Sequence, residues 1–294
     1  MGFFLYLMKF KPMKIFHLII LLFTANLFAQ NQRFIYEYKF IQDSTNRQDV
    51  KSELLVLDLN KSGSKFYSYE KYRADSVMYA ELKKQVAVQA NNILVNNTYK
   101  GNIRYLVEKS YPDFKTFIYN YIAGDDYKIS DDRKMNWKIL PATETIGTFK
   151  TQKAETEMYG RKWTAWFTTD VPVQDGPYKF HGLPGLIVKI QDKTESHVFE
   201  LKGVRKDVAP TDTTHKRTEK PVEITQAQYK KLFWENRKDP AKSLRMMISE
   251  NPTFKVMKNG VEVSGEQMIR EREKTAKENQ KKFNNVLELD LLKE

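Results

Sequence analysis

Apolar and polar positions alternate along this chain in short runs. Phe34, Tyr36, Tyr38 and Phe40 alternate with Ile35, Glu37 and Lys39. A period of two puts successive side chains on opposite faces, so this run predicts a half-buried strand with one aromatic face. Leu54 to Leu59 predicts a second strand, and Lys61-Ser62-Gly63-Ser64 a turn into a third over 65–69. Further strands are expected near 103–109, 115–122, 127–130, 136–140, 145–158, 162–169, 186–190 and 197–204, with Tyr159-Gly160-Arg161 as a turn. Asp75-Ser76 would cap a short helix over 77–88, because either side chain can accept from the free amides of a first turn. Many short strands on short turns predict a mainly β (α+β) chain: a curled antiparallel sheet, barrel-like or half-barrel-like.

The pattern changes after residue 206. Residues 207–221 are polar with two prolines and read as a linker. Thr225-Gln226-Ala227-Gln228 matches a capping box. It predicts a helix carrying Tyr229, Leu232, Phe233 and Trp234 on one face and ending before Asp239-Pro240. A second helix is expected over 266–283, where Glu266→Arg270, Glu273→Lys277 and Glu278→Lys282 place Glu ahead of its cation. Val286–Leu292 reads as a last edge strand. The expected division is a signal segment over 1–29, a β domain over 30–206, and a linker plus helices over 207–294, packing on or beside the same sheet.

The N-terminus carries the pattern of an export signal. Lys9, Lys11 and Lys14 precede a mostly apolar core over 15–23, and Leu27-Phe28-Ala29 ends in a small residue suited to cleavage. Met13-Lys14 could equally open that signal. The core is too short for a membrane anchor, which needs about 20 apolar residues. There is no cysteine, which removes disulfides, thiolate metal sites and a lipid-modified N-terminal cysteine. The formal charge of +12 includes the three lysines of the signal, and elsewhere opposite signs are interspersed as on a solvated surface. An exported, mildly basic chain suits an anionic surface, a glycan or an acidic partner, and nucleic acid is not an expected partner.

Catalytic signals are sparse. Beyond the signal, His181, His197 and His215 stand far apart, so no metal-ligand pair of histidines exists. Asp125-Asp126 and Asp131-Asp132 flank a short strand, but they lack the loop glycine and spacing of a calcium loop. Neither a Gly-x-Ser-x-Gly elbow nor a phosphate-binding glycine loop occurs. No cofactor, metal or catalytic residue is therefore assigned. Trp163, Tyr178, Phe180 and His181 are the candidate binding residues. In the 162–169 strand Trp163 and Trp166 face opposite sides. If one side is core, the other tryptophan is covered by a helix or lines a ligand groove; the 229–234 helix is the expected cover.

One stretch concentrates the remaining signal. Residues 176–187 read Gly-Pro-Tyr-Lys-Phe-His-Gly-Leu-Pro-Gly-Leu-Ile. Gly176-Pro177 marks a turn. Leu183-Pro184-Gly185-Leu186 has proline and glycine at the positions of a type II turn, which needs positive φ at Gly185. The string Gly182–Ile187, with Thr145–Ala154, Gly160–Phe167, Val171-Pro172 and Gly176–Phe180 before it, resembles the GLPGLI family of exported bacterial proteins. The matching motif residues are Trp166, Pro172, Gly176, Pro177, Gly182, Leu183, Pro184, Gly185, Leu186 and Ile187. The resemblance implies export in Gram-negative bacteria and a β-rich domain, and it brings no catalytic residues, since the family's function is not established. The expected function is an exported envelope protein, non-catalytic, binding an apolar ligand or an envelope protein partner. Two alternatives stay open: an accessory subunit of an outer-membrane uptake or assembly complex, and a hydrolase using His181 with Asp175 or Tyr178.

Overall fold

The computed structural model describes residues 31–89, 99–206, 208, 220–251, 255–258 and 261–293. The expected signal segment and nearly all of the expected linker lie outside the described residues.

Twelve strands form one curled, open sheet. In chain order they are β1 (Gln32–Ile41), β2 (Val50–Asn60), β3 (Gly63–Ser68), β4 (Leu106–Ser110), β5 (Thr116–Ile122), β6 (Asp125–Asp131), β7 (Lys138–Ile146), β8 (Phe149–Met158), β9 (Arg161–Thr168), β10 (Leu186–Asp192), β11 (His197–Lys206) and β12 (Val222–Thr225). Their order across the sheet is β12-β6-β5-β4-β3-β2-β1-β11-β10-β9-β8-β7. Two antiparallel meanders thus meet where β11 lies beside β1, and only β12 joins in parallel, against β6. A two-stranded hairpin, β13 (Lys255–Lys258) and β14 (Val261–Ser264), stands apart.

The alternation in β1 works as the pattern requires. Phe34, Tyr36, Tyr38 and Phe40 are buried on one face. Tyr38 stacks on Phe40 and on Phe199 of β11, with ring centroids 4.7 and 4.1 Å apart. Leu55, Leu57 and Leu59 of β2, Phe66 of β3 and Trp163, Ala165 and Phe167 of β9 complete the same core.

Among the described residues the helices are α1 (Tyr69–Ala87), α2 (Gln226–Lys238), α3 (Lys242–Glu250) and α4 (Gly265–Lys282), and a 3-10 turn covers Leu289–Leu292. Both capping boxes close: Thr225 with Gln228 before α2, and Ser264 with Gln267 before α4. Four local expectations need correction. The first helix starts directly off β3 at Ser68, whose hydroxyl accepts from the Lys71 amide, and not at Asp75-Ser76. The long run over 145–158 is split by a turn at Gly147, so β7 and β8 form a hairpin. No helix was expected over 242–250. Finally, the segment after Phe283 is not an edge strand. It is a strap, tied by Asn285 N–H to Gln42 O and Asn285 Nδ2 to Ile41 O at 3.1 and 2.8 Å.

Candidate functional site: a plugged sheet and an outer groove

The segment between β9 and β10 enters the curl of the sheet. Asp175 to Phe180 are all buried, as are Leu183 and Gly185. Its backbone bonds are its own. Val173 N–H reaches Val171 O and Gly185 N–H reaches Leu183 O, each at 2.8 Å, giving three-residue turns centred on Pro172 and Pro184. Phe180 N–H closes a four-residue turn on Pro177 O at 3.1 Å, Gly182 N–H bonds Gln174 O, and Ile187 N–H bonds Asp175 O. The expected type II turn is therefore not formed. Positive φ falls on Tyr178 (+54°) and Gly182 (+92°), and Gly185 is needed for another reason: a Cβ there would lie 2.0 Å from the Thr168 carbonyl oxygen. Gly176 is likewise pressed against Ile187, where a Cβ would come within 2.8 Å.

Three buried polar clusters hold this plug. In the first, Lys109 on β4 extends inward from the same face as Val107, and its side chain and that of Asp175 are fully buried. Lys109 Nζ pairs with Asp175 and donates to the carbonyls of Gly176 and Tyr178 at 2.8 and 3.0 Å. Asp175 also accepts from the Tyr111 hydroxyl. Burial pushes the Lys109 ammonium below its ordinary range, against the pull of Asp175. The loop thus wraps a single cation with its backbone oxygens and closes the charge with one carboxylate.

In the second cluster, Lys179 Nζ bonds Asp131 Oδ2 at 2.5 Å and pairs with Glu288. Arg133 bridges Asp131 at 2.6 Å, Glu288 at 2.7 Å and Asp290 at 2.9 Å. The Tyr178 hydroxyl donates to Glu288. Burial alone would raise both carboxyls, but the Arg133 bonds and the Lys179 charge outweigh it and hold Asp131 and Glu288 below the usual range.

In the third, Arg161 bonds Asn285 Oδ1 at 2.7 Å, Val286 O at 2.6 Å and Asp192 Oδ2 at 3.2 Å. His197 lies 2.7 Å by Nδ1 from the Tyr38 hydroxyl and 3.1 Å by Nε2 from Asn285 O. A carbonyl can only accept, so Nε2 carries the proton and Nδ1 accepts from Tyr38, which is the neutral ring. Burial, then the Arg161 charge, lowers His197 to about 3.

The candidate residues fall into these layers. Trp163 is core, donating to Met158 O at 2.9 Å and packing edge-on against Phe180 with ring centroids 4.7 Å apart. Tyr178, Phe180, Leu183, Leu186 and Ile187 are buried, whereas Pro172, Gly182 and Pro184 reach solvent. His181 is half-buried, stacked on Phe114 at 4.9 Å, and its Nδ1–H donates to Lys179 O at 2.7 Å. Asp175 and Tyr178, its expected catalytic companions, are bonded to Lys109 and Glu288 respectively. Asp131 is a buried ion-pair member rather than one of an exposed acidic pair, and no group of three metal-ligating side chains occurs among the described residues.

The helix expectation for Trp166 does not hold. Helix α2 follows β12 and packs on β12 and β6, where Tyr229 accepts from Asn120, at the opposite edge from β9. Trp166 lies instead in an outer cleft of about 310 Å³, with Lys189 Nζ 5.3 Å from its ring centre.

Sequence reasoning missed Lys109, Arg133, Lys179, Arg161 and Glu288. One signal was available: Lys109 and Asp131 sit at inward positions of strands whose neighbours, Val107 and Ile129, are buried. Charges on an inward face require partners, which the chain supplies from remote positions.

A larger groove opens outside the curl. Its volume is about 640 Å³, and it is lined by Tyr121, Pro240, Leu244, Met247, Val263 and Met268, with Ser243, Thr275, Glu271 and Arg272 among the polar groups. The turn Ala123-Gly124 closes one side. The walls are braced. Arg245 on α3 bonds Glu273 on α4 at 2.6 Å and pairs with Asp239, and Gly265 lets Ile248 pack where a Cβ would come within 2.9 Å.

Fold and site together define a β-rich protein whose curled sheet is filled by its own loop. A family model described as "Protein of unknown function (Porph_ging)" matches residues 115–189, from β5 through the plug into β10. None of the curated proteins compared matches the chain. Among solved structures it is similar to PNGF-II, in the P21 and the C2 crystal forms, each with 18% identity and a TM-score of 0.48. Those alignments cover 71% of this chain and 34% of the PNGF-II chain, so this chain spans about a third of that protein's length.

Proposed function

We propose that this is an exported, non-catalytic binding protein of the bacterial envelope, allied to the GLPGLI family, that takes an apolar ligand in the outer groove. The observation that carries this reading is the groove itself: a braced concavity of about 640 Å³ lined by Leu244, Met247 and Met268 among others. That volume is within the usual range of small-molecule sites, roughly 300–1,000 Å³. Methionine side chains adapt to irregular apolar partners. The buried charges beside the plug are already partnered: Lys109 pairs with Asp175 and bonds backbone oxygens, and Lys179 pairs with Glu288. Export rests on the basic start, apolar core and small residue over 9–29.

The test is to purify the protein from bacterial envelopes, extract it with organic solvent and analyse the extract by mass spectrometry. An apolar compound should co-purify with the native chain and be lost from Met247→Glu. A native protein that carries no such compound would contradict the reading. A stable outer-membrane protein in a pull-down, unaffected by Met247→Glu, would favour the accessory-subunit alternative instead.

A further inference from the structure

We infer that the groove ligand is a single-chain amphiphile with an anionic headgroup, a fatty carboxylate, bound with its chain against Met247 and Met268 and its head at Arg272. This rests on the reading of the groove as a binding site. Arg272 is an exposed residue of α4 that lines the groove. Its Nε donates to Pro240 O at 3.3 Å, across the junction between α2 and α3. That bond ties the guanidinium to Pro240 through Nε, so its two terminal nitrogens remain to donate. A carboxylate fits such a pair with two parallel charge-assisted hydrogen bonds. The rest of the lining supplies what a hydrocarbon chain needs: Leu244, Met247 and Met268 on the helices, Val263 on β14, and Tyr121, more than half exposed, at the end of β5. Water leaves these surfaces when a chain covers them, which is favourable in proportion to the apolar area removed. Glu271 also lines the groove, so the wall carries one group of each sign. The anchored cation favours an anionic head over a cationic one, and so does the positive formal charge that remains without the three signal lysines.

Dodecanoate, dodecan-1-ol and dodecylamine share a chain and differ in charge. Calorimetric titration of the intact protein with each separates chain from head. Dodecanoate should bind at least roughly ten-fold more tightly than the alcohol, the scale of a charge-assisted hydrogen-bond pair. Arg272→Gln should erase that difference without lowering the melting temperature, and Glu271→Gln should leave dodecanoate binding intact or tighter. Met247→Glu should weaken acid and alcohol alike. If acid and alcohol bind equally, the headgroup inference is wrong while the groove reading stands. Tighter binding of the amine overturns it too, and binding of none of the three defeats both.

Discussion

Replacing Lys109 with methionine removes the cation around which residues 175–180 are wrapped. The two side chains are close in length, so the change is mainly one of charge. Asp175, with a fully buried side chain, would lose its counter-ion and keep only the Tyr111 hydroxyl and the Gly176 amide. The carbonyls of Gly176 and Tyr178 would lose a donor. Breaking a buried pair by removing one partner costs about 3–5 kcal/mol. A domain of this size has about 5–15 kcal/mol of stability, and each kcal/mol moves the melting point by roughly 2–4 °C. Lys109→Met should therefore melt roughly 10 °C lower than wild type. Urea unfolding followed by tryptophan fluorescence gives the free energy directly. The double variant Lys109→Met with Asp175→Leu should recover much of the loss, because no buried charge is then stranded. A single variant within about 1 kcal/mol of wild type would refute the claim that this ammonium organises the plug.

Other outcomes follow from the same geometry. Gly185→Ala forces a Cβ to within 2.0 Å of Thr168 O and should cost about 1–3 kcal/mol in urea unfolding or prevent folding, whereas exposed Pro184→Ala should cost under about 1 kcal/mol. His197 is held at about 3 in the folded chain, against about 6.5 unfolded, so the folded state binds fewer protons between those values. The His197 contribution should be fully present above pH ~6.5 and be lost, by roughly 4 kcal/mol, as pH drops toward 3, and His197→Gln should remove that part of the slope in acid titrations of unfolding. Arg161→Met should loosen the strap, seen as faster proteolysis after residue 283, because one guanidinium bonds Asn285, Val286 and Leu287 together.

What was legible in the sequence is what local periodicity encodes. The β1 alternation, the strand series and both capped helices follow from residues within one element. The motif stretch was legible as structural, but its turn type was not. The Pro184-Gly185 pair satisfies a type II pattern by composition, yet Thr168 presses against Gly185 from β9, and that contact is set by the sheet. The charged interior was illegible for the same reason. Lys109 and Asp175 are 66 positions apart, and Lys179 meets Glu288 from the far end of the chain. A lone inward lysine in a five-residue strand reads as a surface charge until its partners are known. The family match over 115–189 contains Asp131, Arg133, Asp175 and Lys179 but neither Lys109 nor Glu288, so the plug is completed from outside the matched stretch.

The most direct test of the central claim, that residues 174–187 form an interior plug and not a surface loop, is amide hydrogen exchange along that stretch. The N–H groups of Phe180, Gly182, Gly185, Leu186 and Ile187 all have backbone partners. They should exchange as slowly as those of β1 and β9, opening only with the sheet. Exchange of these amides within seconds, while β1 and β9 stay protected, would contradict the account.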